Sequence, residues 1–244
     1  MSKKDELGNR MKDFYEDRTR NFLPRRTYTI IRVDGKSFHT YTKGLSRPFD
    51  SKLMDDMDET AAYMCKNIQG AKFAFVQSDE ISLLLTDFES IVTDAWFDGN
   101  IQKIASVSAS MATAKFNELR PGKIALFDSR AFIIPSSIEV ENYFIWRQQD
   151  TVRNSISSMA QSMFSSKQLH KKTAKEMVEM CSERWNHWDS YTSKIKYGRL
   201  ILKESYLKDE AVRTKWVSNG ANLFTSERGT LSDLIPKQQR TQIQ

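Results

Sequence analysis

An α+β fold, an antiparallel sheet with helices on one face, follows from three features of this sequence. Apolar runs rich in β-branched and aromatic residues at 27–33, 71–77 and 81–88 have the length and composition of strands. Two longer stretches, 51–68 and 96–119, repeat apolar residues at the spacing of a helix face. With a further apolar run before Pro135, the order through residue 134 is strand, helix, hairpin, helix, strand. This βαββαβ order is the split βαβ arrangement of a ferredoxin-like sheet, and the remaining residues read as an α+β C-terminal extension.

Each element carries its own signals. Residues 5–20 bear both charge signs and predict a surface helix leading to Pro24, followed by a strand at about Thr27–Val33 that leaves Asp34 at its end. Asp34-Gly35 also suits a hairpin turn, but the next stretch, KSFHTYTKGLSRPFD, is too polar and irregular to be a returning strand. From Asp50 or Ser51 a capped helix begins, with Leu53, Met57, Ala61, Met64 and Ile68 on one face and Gly70 as its stop. AKFAFVQ and ISLLLTDF then form a hairpin whose polar tip carries Asp79 and Glu80. Trp96–Leu119 predicts a long helix closed by Pro121-Gly122, and the strand KIALFDSRAFII follows.

After Pro135, the Ser136/Glu139 capping pair opens a helix toward Asp150, and RNSISSMAQSMF predicts a second helical segment. The basic stretch SSKQLHKK precedes another helix opened by Thr173 and Glu176, YGRLILKESY and TKWVSNG predict a strand pair, and PKQQRTQIQ a solvated tail. No repeat or linker interrupts the chain, so residues 1–135 are expected to form the sheet module and 136–244 an extension packed intimately against it.

Composition narrows the function classes. Lys+Arg 37 against Asp+Glu 31 in 244 residues gives a net charge of +6, a tilt toward a polyanionic partner such as nucleic acid or nucleotide. Cys65 and Cys181 lie in apolar-periodic segments, which predicts buried thiols in a reducing compartment and argues against a disulfide framework. The N-terminus is charged and no run of about 18 apolar residues occurs, so neither a signal peptide nor a membrane span is expected, and the location is expected to be cytoplasmic.

Asp34 and Asp79 are the pair with the chemistry. The first strand and the hairpin are central neighbours in a βαββαβ sheet, so acids that end one and turn the other converge on one edge. Two carboxylates there suit Mg²⁺, which takes one or two carboxylates plus phosphates and water. Glu80 would add an outer contact, and the Gly35 carbonyl a further oxygen. Lys36, Ser37, His39 and Ser78 place donors beside the acids, as a metal-bound triphosphate requires. Either motif alone reads equally as a turn, since Asp, Ser and Gly dominate turns for conformational reasons.

Four blocks in order, RVDGKSFHTY, LSRPFDSKLMDDM, FAFVQSDEISLLL and WRQQD, strongly resemble the tRNA(His) guanylyltransferase family and its tRNA-repairing relatives, the 3′-to-5′ polymerases, over most of residues 10–160. The resemblance implies a polymerase-palm sheet with two Mg²⁺ ions on Asp34, the Gly35 carbonyl and Asp79, with Glu80 beside the catalytic pair. It implies Asp34, Asp79 and Glu80 as catalytic residues and a nucleotide site of Asp34, Gly35, Lys36, Ser37, Phe38, His39, Ser78 and Asp79, with Arg47, Asp50 and Lys103 as further contacts. Where eukaryotic guanylyltransferases carry a His-Ile-Asn-Asn-Leu-Tyr-Asn run, this chain has Val152 to Ser158 and keeps only Asn154. That departure resembles the bacterial and archaeal branch, which implies templated repair of tRNA 5′ ends, with Asp150, Arg153 and Asn154 holding the RNA end or a second triphosphate.

The implied substrates are ATP, GTP or other nucleoside triphosphates and a tRNA with a truncated or monophosphorylated 5′ end, and the implied assembly is a homotetramer. The extension is expected to bind tRNA and to oligomerise, with phosphate contacts from Lys167, Lys171, Lys172, Arg25, Arg26, Arg199, Lys237 and Arg240. Competing readings are a dedicated tRNA(His) guanylyltransferase, a nucleotidyl cyclase and a non-catalytic tRNA-binding protein.

Overall fold

The computed structural model describes residues 6–209 and 211–238. The helices are α1 (Glu6–Met11), α2 (Phe38–Tyr41), α3 (Ser51–Asn67), α4 (Ile101–Leu119), α5 (Ser137–Gln161), α6 (Ser166–Leu169), α7 (Ala174–Ser182), α8 (Ser193–Lys196) and α9 (Arg228–Leu234). The strands are β1 (Tyr28–Gly35), β2 (Ala71–Gln77), β3 (Glu80–Leu85), β4 (Phe127–Ile134), β5 (Arg199–Lys208) and β6 (Ala211–Gly220). All pair antiparallel in one sheet of order β4-β1-β3-β2-β5-β6. Its first four strands are the expected βαββαβ core. β5 and β6 extend it past β2, so the sheet runs on into the C-terminal extension.

Strand alternation gives this sheet two buried faces. Ile31, Val33, Val76, Ile81 and Leu83 pack against Met57 and Met64 of α3 and Ile104 and Phe116 of α4. Tyr28, Ile30, Phe73, Phe75 and Leu84 pack on the other side against Phe144 of α5 and Leu231 of α9. Within the core module the helices lie on one face, as expected; the extension supplies the cover for the second. Cys65 and Cys181 are buried free thiols.

Several boundaries differ from expectation for identifiable reasons. The N-terminal helix is broken into α1, a π turn at Lys12–Glu16 and a 3₁₀ turn at Asp17–Thr19, none with a buried residue to hold it straight. α4 begins only at Ile101, because Phe97 and Asp98 have φ near 50° and Asn100 caps the helix by accepting from the Lys103 amide at 3.1 Å. The two segments expected after Pro135 are one helix of 25 residues. Its buried stripe turns polar at Arg147, Gln148, Thr151 and Ser155, which hid the continuity from the apolar pattern. Among the described residues no helix is long and apolar enough to cross a membrane.

Candidate active site

The C-terminal end of β1 meets the β2–β3 turn at one rim of the sheet. Asp34 stands opposite Glu80 on β3 and opposite Asp128 on β4, and the Gly35 amide donates to the Asp79 carbonyl at 3.2 Å. The turn is two residues long, Ser78 at φ 45° and then Asp79, which throws the Asp79 carboxylate back over Gly35. A Cβ at Gly35 would lie 2.8 Å from Asp79 Oδ2 and 2.2 Å from the Phe38 ring, so only glycine leaves room for this approach.

Burial is the main cause, and the charge of Asp34 the second, of an Asp79 pKa pushed up to about 6, against a lowering hydrogen bond from Ser78. The rim thus holds two acids close together, and among the described residues neither forms an ion pair. Among the described residues, no group of three or more His, Cys, Asp and Glu side chains forms a closed metal cage. Two carboxylates and a carbonyl suit an open Mg²⁺ site completed by phosphate and water.

The loop after Gly35 is anchored from below. Phe38 is buried and stacks on Tyr41 at 4.8 Å, with Phe127 at 5.3 Å and Phe116 at 5.7 Å. Its ring is therefore core, and Phe38 can meet a nucleotide only through its backbone. Ser37 takes a left-handed turn at φ 55°, and its carbonyl accepts from the Thr40 amide at 2.9 Å. Among the described residues the amides of Ser37, Phe38 and His39 have no acceptor, while Lys36 and the His39 side chain are exposed.

Beside the turn lies a cavity of about 370 Å³ whose lining includes His39, Asp50, Ser78, Asn154, Lys194 and Arg199. Asp50 is first a structural residue, since its carboxylate accepts from the Leu53 amide at 2.7 Å as the α3 N-cap and from the Ser46 amide at 3.2 Å. Arg47 also lines the cavity.

Other expected residues stand elsewhere. Glu80 turns to the α5 face, where Arg147 holds both its oxygens at 2.9 Å, so its carboxylate is committed to that pair. Asp150 pairs with Arg147 at 2.6 Å and with Arg153, outside the cavity. Lys103 is on the first turn of α4, with its Nζ 5.9 Å from the centre of the Phe97 ring, and does not line the cavity. Arg199, expected as a surface phosphate contact, is only 3% exposed and pairs with Asp58, which also accepts from Ser218 Oγ at 2.6 Å. Arg25 is occupied by Asp87, Asp94 and Asp98, and Lys172 by Glu176. Arg240 lies outside the described residues.

Sequence reading gave no role to Gln77, Arg147, Thr151 or Lys194. The signal for the helix pair was present, since Arg147 and Thr151 are four residues apart, one helical turn, in a stripe that must face the sheet.

An antiparallel palm-like sheet with two carboxylates at its rim and a nucleotide-sized cavity beside them defines a nucleotidyltransferase. Residues 8–135, more than half of the chain, match the tRNAHis guanylyltransferase (Thg1) family. The chain belongs to that family.

Two solved structures of a bacterial tRNA(His) guanylyltransferase (Thg1)-like protein, one in complex with ATP and one with GTP, superpose with TM-score 0.84 at 42% and 43% identity. Each alignment covers 94% of this chain and 99% of that one. An uncharacterized protein of Acanthamoeba polyphaga mimivirus is 26% identical over 90% of this chain and 84% of its own length. The tRNA(His) guanylyltransferase of Debaryomyces hansenii is 29% identical over 56% of this chain. The match spans about half of that enzyme's length, 54%.

Proposed function

We propose that this protein adds nucleotides in the 3′-to-5′ direction to the 5′ end of tRNA, copying the opposite strand to repair a truncated end. The observation that carries the reading is the Asp79 carboxylate folded back over Gly35 beside Asp34, in the turn whose Ser78 lines a cavity large enough for a nucleoside. The likeness to bacterial Thg1-like proteins, and Val152 to Ser158 in place of the histidine-containing run, support repair over addition of a single guanosine.

In this reading Asp34, Asp79 and the Gly35 carbonyl hold Mg²⁺. When bound, two Mg²⁺ ions supply a lowered pKa for the attacking hydroxyl and charge neutralisation on the phosphates. The free amides of Ser37 to His39, with Lys36, receive the triphosphate, and the cavity receives the base. ATP transfers AMP to a 5′-monophosphate, or a 5′-triphosphate is already present, and the 3′-hydroxyl of the incoming nucleotide then displaces the leaving group in line. The chain's residues bring hydroxyl and phosphate together and supply no covalent nucleophile.

The test offers truncated and full-length tRNAs with each nucleoside triphosphate in turn and sequences the 5′ ends. Wild type extends truncated ends to match the opposite strand, and Asp34→Ala and Asp79→Ala abolish both activation and addition while remaining folded. Addition of one guanosine regardless of template would contradict repair. Product from ATP or GTP alone would point to a cyclase.

A further inference from the structure

The hairpin that carries Asp79 is fastened to α5 at both of its feet. Gln77 and Glu80 face each other across the Ser78-Asp79 turn. Arg147 grips Glu80 as a fork, Nε donating to Oε1 and Nη2 to Oε2, each at 2.9 Å. Thr151 Oγ1 donates to Gln77 Oε1, also at 2.9 Å. Partners across a strand pair and partners one helical turn apart share a spacing of about 5 Å, so the two feet and the two helix positions match.

All four side chains are buried, and the surroundings complete the fork. Ser82 Oγ donates to Glu80 Oε1 at 3.3 Å and shares a hydrogen bond with the Tyr143 hydroxyl at 2.8 Å. Arg147 Nη1 reaches Asp150 at 2.6 Å, and its guanidinium lies 4.3 Å from the centre of the Trp146 ring. A buried ion pair is a poor source of net stability, because desolvation cancels much of its attraction. A bidentate fork does fix direction and distance. The same helix lines the cavity with Thr151, Asn154, Ser155 and Ser158.

We propose that Arg147 is a positioning residue for Asp79: its fork on Glu80, with the Thr151–Gln77 bond beside it, sets where the Asp79 carboxylate stands against Asp34 and ties that carboxylate to the helix that lines the cavity. Glu80 then acts as the anchor of the turn and stays off the metal. The inference rests on the two-carboxylate reading above.

The experiment compares wild type with Glu80→Gln, Arg147→Lys, Arg147→Met and the Glu80→Gln/Arg147→Met double variant. It reads kcat and nucleotide KM for addition to a truncated tRNA. It also reads Mn²⁺ binding in the presence of GTP by electron paramagnetic resonance on protein shown to be folded. Each single variant is expected to lose about 10- to 100-fold in kcat and in Mn²⁺ affinity, the range for residues that orient metal ligands. Nucleotide KM changes little, Arg147→Lys falls between wild type and Arg147→Met, and the double variant is no worse than the worse single, because the pair acts as one unit.

An inactive Glu80→Gln beside an Arg147→Met that keeps wild-type kcat and Mn²⁺ affinity would overturn the proposal, since Glu80 would then act directly. An Arg147→Met or Arg147→Lys that only melts earlier, with both readouts intact, would overturn it as well. Arg147→Lys retains the charge and serves alone if Arg147→Met fails to fold. Asp79→Ala in the same assays separates the two levels. If it keeps Mn²⁺ binding and addition, the two-carboxylate reading fails whatever Arg147 does.

Discussion

The half-buried carboxylate of the rim turn and the buried carboxylates of Glu80 and Asp58 stand under opposite conditions. Burial and the charge of Asp34 push the Asp79 pKa up to about 6, and among the described residues Asp79 forms no ion pair. Glu80, the next residue, has an arginine fork, and Asp58 on α3 has Arg199 and Ser218. For Glu80 and Asp58 the fold itself supplies the matching charge. The contrast at Asp79 is what the proposed Mg²⁺ site would exploit.

The largest effect expected of that difference is at Asp79. Asp79→Asn should reduce nucleotide addition by about 10³-fold or more, on the scale of losing a group that stabilises transition-state charge. It should also stabilise the metal-free protein at neutral pH by about 1–3 kcal/mol, read by urea unfolding, because a carboxyl whose pKa is raised on folding opposes folding once ionised. The sign fixes the pH dependence. Between about pH 4 and pH 6 the folded state binds more protons than the unfolded, so this contribution to wild-type stability falls as pH rises, and Asp79→Asn removes that slope.

Asp58→Ala should do the reverse in kind. It strands a buried Arg199 and should cost about 3–5 kcal/mol of stability in the same unfolding assay. Gly35→Ala tests the close approach. A methyl there would stand 2.2 Å from the Phe38 ring and 2.8 Å from Asp79 Oδ2, so ring and carboxylate must both shift, and a shift of that order should cost addition about 10²-fold in a steady-state assay. The smallest effect is at the edge of the cavity, where Asp50→Ala should lower stability by about 1 kcal/mol through loss of the α3 cap. An Asp79→Asn protein that is less stable than wild type, or an Asp58→Ala protein that is as stable, would erase the contrast.

Much of this was legible in the chain. β-branched runs ending in Asp34 and at Ser78-Asp79 gave the strands and the acid rim, because strand order forces neighbours that sequence spacing hides. The capping pairs at Ser136/Glu139 and Thr173/Glu176 fell where expected, each hydroxyl accepting from the amide three residues on. What stayed hidden was partner choice. Phe38, placed by motif beside the nucleotide, turns into the aromatic core, and Glu80, placed beside the metal acids, turns to Arg147. In a strand, one residue's step reverses the face, so Asp79 and Glu80 can be adjacent in sequence and opposite in duty.

The most direct measurement is anomalous diffraction from crystals of the protein grown with Mn²⁺ and a non-hydrolysable nucleoside triphosphate. The account predicts a manganese peak in contact with Asp34, Asp79 and the Gly35 carbonyl, with triphosphate oxygens completing its shell and Glu80 still on Arg147. Manganese bound elsewhere, or a peak ligated by Glu80 with Asp79 turned away, would contradict it.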